Sequence, residues 1–193
     1  MFLFYTPYRP PYPNELYHHG IQGQHWGIRN GPPYPLGSGK ITVKYGKNRK
    51  AVNDIFNSMS DQEKIHLAGE AGSSRVPKEY VSAKEYGPKG TIADSVVIYN
   101  GKTPVAFCDI WGSQGNRGFI AIGTRGGNAF RGKGYASKAL SEAIKSFYAN
   151  PNLKELDYYP HQGNTASINL AKKFGFKEFE NNEYFVGLGL FKK

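Results

Sequence analysis

A glycine-rich stretch with two basic side chains is the part of this sequence best suited to hold a ligand. It covers residues 126–136, where Arg131 and Lys133 alternate with Gly132 and Gly134. The stretch follows an apolar run that predicts a strand and precedes a spacing that predicts a helix. A helix N-terminus has unpaired backbone N–H groups and the positive end of the helix dipole, so it binds anions. Because glycine lets the backbone approach an anion closely, the stretch predicts a site for a phosphorylated ligand.

The chain before this stretch predicts a strand, two helices and three more strands. Residues Ile41–Tyr45 alternate in polarity, as a half-buried strand does. Ser60 and Glu63 form a capping-box pattern, which opens a helix that runs to about Gly69. The helix before it is predicted from the spacing of Val52, Ile55, Phe56 and Met59. Apolar runs at 95–99, 105–111 and 118–123 predict three consecutive antiparallel strands.

The turn between the first two of these three strands is marked by Asn100-Gly101. Pro104 follows closely, and proline has no N–H to donate to a strand ladder. We therefore expect a connecting loop longer than two residues.

The chain after the glycines predicts two helices and three strands. The first helix ends at Asn150-Pro151 and is followed by a strand over 153–159, so the strands on either side of it should form a parallel pair. Asn164 caps the last helix, and Gly175 suits the left-handed position after it. The apolar face of the first helix is Ala136, Ala139, Leu140, Ala143, Ile144 and Phe147, and that of the second is Ile168, Ala171 and Phe174. Two final strands, over 176–179 and 184–190, flank the turn at Asn181-Asn182.

Two kinds of phosphate site fit residues 127–136. From Gly127 to Lys133 the sequence comes within one residue of a Walker A loop, but Gly134 stands where a Mg²⁺-binding hydroxyl is required. Asp157, the nearest candidate for the second metal-binding motif, follows a mixed run instead of an apolar strand. Nucleotide hydrolysis is therefore disfavoured. The separate run at 37–40 lacks the first glycine of that motif and is interpreted as a linker.

The second kind of site rests on two motifs. Arg131, Gly134 and Ala136 form an Arg-x-x-Gly-x-Ala pattern that resembles the pyrophosphate loop of the GNAT superfamily of acyl-CoA N-acyltransferases. Residues 164–176 resemble the Asn-x-x-Ser/Ala…Lys-x-Gly-Phe segment of the same family, at the expected separation. The order of predicted elements also agrees over residues 41–193. The resemblance implies an α/β (α+β) fold with a mixed, mostly antiparallel sheet, splayed between strands four and five and flanked by helices.

The resemblance also implies acetyl-CoA as co-substrate and assigns residues to it. The pantetheine arm would lie in the gap between strands four and five, and the pyrophosphate on the backbone N–H groups at the start of the next helix. Asn164 would line the pantetheine. The strand-four residues implied are Ile122, Gly123 and Thr124, and the pyrophosphate residues are Arg131, Gly132, Lys133, Gly134, Tyr135 and Ala136.

The reaction implied by the resemblance is direct attack of an amine on the thioester. Many family members place an acidic Tyr on the last helix, but that position is Ala171 in this chain. The candidates for the base are Asp109, on the predicted third strand, and His161, just past the fifth. Ser167 is expected to serve as a helix-cap residue. The acceptor amine is not specified by the sequence, and a binding or structural protein that keeps the fold without turnover is the alternative.

Residues 1–39 form a separate N-terminal arm before a predicted domain at 40–193. The arm holds seven of the twelve prolines, which forbids regular helix and sheet. Within it, residues 17–29 resemble a short His-x-Gly-x-Lys-Gly-x-x-Trp-Gly-x-Arg motif of proteins encoded by tailed phages. The matching residues are His19, Gly20, Gly23, Trp26, Gly27 and Arg29, while Gln22 stands in place of lysine. The resemblance implies attachment to phage structural proteins, in the virion or the host cytoplasm. A metal site at His18, His19 and His25 is the alternative, but no cysteine or acidic residue completes the set.

The composition sets limits on other functions. The net charge of +10 favours anionic partners, but the basic residues are scattered, so nucleic-acid binding is possible without being indicated. The single cysteine, Cys108, excludes an internal disulfide and is expected to be a buried apolar residue. We expect neither a signal peptide nor a membrane span.

Overall fold

Seven strands form one sheet in the computed structural model of this chain, which describes residues 39–46, 48–69, 72–80, 93–112 and 116–192. The order of strands across the sheet is β1-β2-β3-β4-β5-β7-β6. The strands are β1 (Ile41–Tyr45), β2 (Ala93–Asn100), β3 (Thr103–Gly112), β4 (Arg117–Thr124), β5 (Glu155–Tyr158), β6 (Lys177–Asn181) and β7 (Val186–Phe191). All neighbours are antiparallel except β4 and β5. The predicted mixed α/β fold is therefore confirmed.

Four helices occupy the described residues: α1 (Arg49–Asn57), α2 (Asp61–Ala68), α3 (Tyr135–Ala149) and α4 (Thr165–Lys173). The capping box predicted for α2 is present, because the Ser60 side chain accepts the N–H of Glu63 and the Glu63 carboxylate accepts the N–H of Ser60. At the end of α4, Gly175 has a φ of +90°, as predicted for its position.

The parallel pairing of β4 and β5 is short. It begins at Arg117 with Glu155 and ends at Ile120 with Tyr158. Beyond that pair β4 continues to Thr124 along β3. No strand among the described residues pairs with this last part of β4 on its other side. The two strands thus part at Ile120 and Tyr158, and we call the opening between them the fork.

The helices lie on both faces of the sheet. Phe107 of β3 and Ala121 of β4 pack with the buried side chains of α1, so α1 covers one face, which we call face A. Side chains alternate along a strand, so Cys108 lies on the other face, face B. Helix α3 packs against β2, β3 and β4, and α4 packs against β7. Tyr158, at the fork, hydrogen-bonds Ser167 of α4, which places that helix on face B.

One prediction about the β2–β3 hairpin is wrong. Asn100 pairs with Thr103, so the turn has two residues, with Gly101 at a φ of +60°. Pro104 lies inside β3 opposite Tyr99, where the register shifts between Ile98 and Tyr99. The irregularity accommodates the missing N–H, so the loop does not need to lengthen.

Most other boundaries agree with prediction. β5 is shorter than expected, since only residues 155–158 pair, and the last turn falls at 182–185, with Asn182 donating its N–H to Phe185. Cys108 is fully buried, as expected. In the described ranges, no helix is both long and apolar enough to cross a membrane. The N-terminal arm and its motif lie outside the described residues.

Gly123 provides a test of packing beside the fork. A Cβ at this position would lie 2.2 Å from Phe107 Cε1 and 3.0 Å from Met59 Cε, both in the core under α1. We expect Gly123→Ala to lower the free energy of unfolding by about 1–3 kcal/mol. Chemical denaturation measures this.

Gly163→Ala is the matched control, because the nearest atom to its added Cβ is 3.7 Å away. Equal free energies of unfolding for the two variants would show that the space between β4 and α1 can accept a methyl group, in contradiction to the distances at Gly123.

Candidate functional site

The loop before α3 owes its shape to glycine. Gly127, Gly132 and Gly134 have φ values of +96°, +66° and +75°, in the left-handed region that side chains disfavour. Gly126 is required for another reason, because its Cβ would lie 2.0 Å from the carbonyl oxygen of Ser58. Its N–H donates to Ser58 Oγ at 3.0 Å. The loop is therefore held against the end of α1.

The N-terminus of α3 lies at the end of this loop. Gly134 is its N-cap and supplies no side chain, and the first turn carries no acidic residue. The first N–H groups of a helix have no intrahelical partner. The hydroxyl of the buried Tyr135 accepts a hydrogen bond from Asn100 Nδ2 at 3.0 Å, which ties the helix to the β2–β3 turn. Tyr135 can therefore serve an anion through its backbone, while its side chain anchors the helix.

Three cationic side chains lie in or beside the loop. Arg125 pairs with Asp54 of α1 at 3.0 Å, and Arg131 pairs with Glu63 of α2 at 2.5 Å. Lys133 is exposed. The Glu63 carboxylate thus serves both the capping box of α2 and the loop before α3. An anion on the loop would compete with Glu63 for Arg131.

The last residues of β4 lead directly from the fork into the loop. Ile122, Gly123 and Thr124 pair with β3 on one side only among the described strands. Their backbone groups therefore line the fork on the side of β4, and the chain continues from them through the loop to the N-terminus of α3. The structure brings the predicted strand-four residues and the predicted pyrophosphate residues into one continuous segment.

The helix after β5 begins beside the fork. Asn164 caps α4, because its Oδ1 accepts the N–H of Ser167 at 3.2 Å. The Ser167 side chain also hydrogen-bonds the phenol of Tyr158, and burial raises the pKa of Tyr158 to about 12. Ser167 and Ala171 are one helical turn apart on the same side of α4. Tyr158 of β5 therefore lies on the side of α4 that carries Ala171.

Asp109 is buried on face A. It pairs in register with Ala121, the first β4 residue beyond the fork, and its side chain is 3% exposed. Burial, followed by the charge of Asp109 and a hydrogen bond to it, raises the pKa of Tyr80 well above its usual value. The Tyr80 ring packs on Phe107 at 4.9 Å. Asp109 therefore lies one strand from the fork, covered by the phenol of Tyr80.

His161 follows β5 and contacts α2, which lies on face A because its Leu67 packs against the core under α1. Its ring is stacked on that of His66 of α2, with 3.9 Å between centroids and 11° between planes. His161 Nδ1 accepts the N–H of Gly163 at 3.2 Å. His66 Nε2 lies 3.1 Å from Nε2 of Gln62. Burial, and then the charge of His161, lower the pKa of His66, against a smaller raising effect of Glu63.

The contact between His66 and His161 was not predicted from the sequence. Nothing in the spacing of α2 distinguishes His66 from an ordinary partly exposed helix residue. The pairing depends on how α2 lies over the end of β5. Asp109 and His161, the two predicted catalytic residues, both lie towards face A, but the structure gives them separate partners.

Face A continues across β4, β5 and the last hairpin as an aromatic surface. Tyr159 contacts Phe119, Phe179 and Phe185, with centroids 6.3, 5.9 and 5.2 Å away. Trp111 stacks on Phe119 at 6.0 Å. This surface is next to the stacked histidines and opposite α3 and α4.

Solved structures share this fold. The GNAT domain of a protein called PAT from S. lividans has 13% identity and a TM-score of 0.63, and the match covers 81% of this chain and 93% of that one. A GNAT-family acetyltransferase from Streptococcus pneumoniae has 14% identity and a TM-score of 0.58, covering 79% and 99%. An aminoglycoside acetyltransferase in complex with coenzyme A has 11% identity and a TM-score of 0.58, covering 79% and 95%.

The sequence itself matches a family model. No curated protein matches the chain significantly. The model described as "Acetyltransferase (GNAT) domain" matches residues 49–177, which span α1 to the start of β6 and include the fork and the glycine loop. This supports acyl transfer as the chemistry of the fold. The chain therefore belongs to the GNAT acetyltransferase family.

Proposed function

We propose that this protein is an N-acetyltransferase that transfers the acetyl group of acetyl-CoA to an amine. The observation that carries the proposal is that β4 leads from the fork, through the glycine loop, to the N-terminus of α3, a helix that packs against β2, β3 and β4. An elongated ligand with a phosphate at one end and a thioester at the other fits this arrangement. Its anionic part meets backbone N–H groups and its uncharged part meets the edge of a strand.

The proposed contacts of acetyl-CoA follow from the segment between β4 and α3. The pyrophosphate lies on the N–H groups of residues 131–136, with Lys133 adding positive charge. The pantetheine runs along Ile122, Gly123 and Thr124, and Asn164 lines it from the start of α4. The glycines at 132 and 134 hold the left-handed conformations that the loop requires.

The proposed acceptor approaches from face A, since α3 and α4 cover face B. The amine attacks the thioester carbon, the carbon–sulfur bond breaks, and the amine loses a proton. Asp109 and His161 are the two titratable candidates for this step, and both lie towards face A. The aromatic surface around Tyr159 is the proposed wall for the acceptor.

A catalytically silent member of the fold is the second candidate. It is favoured by Ala171, which replaces the family's acidic Tyr, and by the burial of Asp109. Such a protein would bind the cofactor without releasing thiol. The resemblance of residues 17–29 to a phage motif supports a role in either case as a phage-encoded protein attached to virion proteins through the arm.

Gly134→Val tests the cofactor site. The substitution strains a residue with a φ of +75° at the start of α3 and crowds the N–H groups. We expect acetyl-CoA affinity to fall by about tenfold or more, measured by calorimetry.

Gly46→Val is the matched control, because Gly46 has a φ of +89° with nothing near its Cβ and lies after β1. It should show the same backbone strain with unchanged affinity. Wild-type protein that binds acetyl-CoA yet releases no thiol with a panel of amines and peptides would favour the silent alternative. No binding at all would overturn the site.

Substitutions of Arg131 and Glu63 test whether an anion bound at the loop competes with the Glu63 carboxylate for Arg131. Arg131→Gln should weaken coenzyme A binding by about tenfold, since it removes a charge-assisted contact. Glu63→Gln keeps the capping box, because glutamine can replace glutamate there, but frees Arg131. We expect it to strengthen binding by up to about fivefold at low salt.

Opposite signs for these two variants are the diagnostic result, measured by titration calorimetry at two salt concentrations. Equal affinities for all three proteins would show that Arg131 holds α2 and makes no contact with the cofactor.

The arm is tested separately from the domain. Deleting residues 1–39 should leave the acetyl-CoA affinity and melting temperature of the domain unchanged and abolish co-sedimentation with phage particles. Trp26→Ala in the full chain should have the same effect on co-sedimentation. Unfolding of the truncated protein would mean that the arm belongs to the core.

A further inference from the structure

Strand β6 contains an irregularity that turns two consecutive side chains to the same face of the sheet. Phe179 is the extra residue of a β-bulge, because its neighbours Glu178 and Glu180 pair with consecutive residues of β7. The carboxylate of Glu178 pairs with Lys172 of α4 at 2.7 Å, and α4 lies on face B. A Cβ added at Gly187 would lie 2.9 Å from both Phe179 Cε2 and Glu180 Cβ. Phe179 and Glu180 therefore lie together on the face of Gly187, away from α4.

Two glycines of β7 make room for the Phe179 ring on face A. Gly189 pairs with Asp157, which in turn pairs with Phe119 of face A. Gly187 is two residues before Gly189 and so lies on the same face. A Cβ at Gly189 would lie 3.3 Å from Phe179 Cδ1, so the ring covers the backbone of β7. The bulge and the two glycines thus hold on face A an aromatic residue that is 44% exposed.

The rings beside Phe179 already hold one cation of this chain. The Tyr159 ring meets the Phe179 ring edge-on, with 5.9 Å between centroids. The guanidinium carbon of Arg117 lies 5.9 Å from the ring centroids of both Phe119 and Phe179. Because the face of an aromatic ring is electron-rich, it attracts a cation at such distances. The aromatic surface around Tyr159 is therefore suited to positive charge.

Carboxylates outnumber cations around these rings. Arg117 pairs through Nε with Asp157 at 2.5 Å, and Glu155 Oε1 lies 3.8 Å from its Nη2. Asp157 is fully buried, and its Oδ1 has no hydrogen-bond partner among the described residues. Glu180 accepts a hydrogen bond from the neutral amide of Asn182, and no cation pairs with it in the part of the chain that the structure describes. Since Asp157 and Glu155 share Arg117, the charge of Glu180 is not neutralised.

The Tyr159 hydroxyl reports the sign of the local charge. It donates to Asp157 Oδ2 at 3.3 Å. Burial raises the pKa of Tyr159, and the charges of Asp157 and Glu180 raise it further against the lowering effect of Arg117. The whole chain has a net charge of +10, so this excess of negative charge is local to face A.

We propose that the aromatic surface and Glu180 bind a positively charged group of the acceptor, separate from the amine that is acetylated. The acceptor is then an amine that carries a second ammonium or guanidinium group. This inference rests on the proposed acetyl transfer and adds to it the chemical class of the acceptor, which the sequence does not specify.

The register of the sheet gives the spacing of the two groups. Tyr158, at the fork, pairs with Leu188 of β7, and Glu180 of β6 pairs with the next β7 residue, Gly187. Strand β6 is two strands from β5, and neighbouring strands are about 4.8 Å apart, so Glu180 lies roughly 10 Å from the fork. An acceptor with its second cation at about this distance from the reacting amine matches the arrangement.

Three amines of equal chain length separate the charges that an acceptor can carry. Octanediamine has a second cation, octylamine has none, and aminooctanoate has a carboxylate in its place. We expect kcat/KM for thiol release from acetyl-CoA to be about tenfold higher for octanediamine than for octylamine, and lowest for aminooctanoate. A preference for aminooctanoate would overturn the proposal, because it would assign Arg117 to an anionic acceptor.

Two variants test the residues of the cation site. Glu180→Gln removes the charge, and Phe179→Leu removes the ring. Each should reduce the preference for octanediamine over octylamine by about fivefold. Glu178→Gln is the matched control, because it removes the same charge from the same strand on face B, and it should keep the wild-type preference. Equal preferences in the wild type, Glu180→Gln and Phe179→Leu would contradict the proposal.

A pair of peptides distinguishes a small diamine from a basic peptide as the source of the second cation. The two tripeptide amides have a free N-terminus and differ only in their last residue, which is arginine or glutamine. A larger gain in kcat/KM from arginine than from the second amino group of octanediamine assigns the cation site to peptides, and a smaller gain assigns it to small amines. With no gain in either series, the cation site is refuted.

Failure of the proposed acetyl transfer would give a different result. Amide NMR signals of Phe179 and Glu180 report octanediamine binding to the full chain without acetyl-CoA. If no amine releases thiol, but octanediamine shifts these signals in the wild type and not in Glu180→Gln, the cation site stands without the reaction. Thiol release with no preference for charge would leave the reaction in place and exclude the cation site.

Discussion

The candidate site depends on the early end of the pairing between β4 and β5, because β4 continues from that point into the glycine loop and α3. Parallel strands normally continue to exchange hydrogen bonds along their shared length, and an exposed edge must find other partners. Here the ladder ends at Ile120 and Tyr158, while β4 runs on to Thr124. The same strand that loses its neighbour leads into the glycine loop and then α3. A strand edge that has no second neighbour among the described strands and a helix N-terminus thereby follow each other along the chain.

Several nearby contacts hold the glycine loop and the fork in place. Left-handed glycines shape the loop, and two hydrogen bonds hold its ends, one from the Gly126 N–H to Ser58 Oγ and one from Asn100 Nδ2 to the Tyr135 hydroxyl. The buried contact between Tyr158 and Ser167 stabilises the opposite side of the fork. The proposed sites for the phosphate and thioester ends of acetyl-CoA are thus held by hydrogen bonds to neighbouring elements. Such preorganisation favours binding because little conformational entropy is lost when a ligand arrives.

Local signals predicted most of the fold. The capping box at Ser60, the cap at Asn164 and the glycine at 175 each act within a few residues, so their outcomes could be predicted from the sequence. The expected long loop before Pro104 was wrong because a register shift in the neighbouring strand, a property of two strands together, absorbed the proline. The residues 131–136 and 164 were predicted from motifs, and their role in cofactor binding stays a prediction.

The candidate catalytic groups depended on longer-range contacts, and the sequence could not supply their environment. The contact of Asp109 with Tyr80 and the stack of His66 on His161 both depend on helices or loops that pack over distant strands. Periodicity reports which face of an element is apolar, but it does not report which side chain lies opposite.

The burial of Cys108 has a practical consequence. It is the sole thiol in the chain, is fully buried on face B of the sheet, and lies close enough to Tyr158 to influence its ionisation. A thiol reagent can reach it only when the sheet opens locally or a helix that covers face B moves away. The rate of alkylation therefore measures local opening of the structure around β3. The measurement needs no cysteine introduced by mutation, and no second cysteine contributes to it.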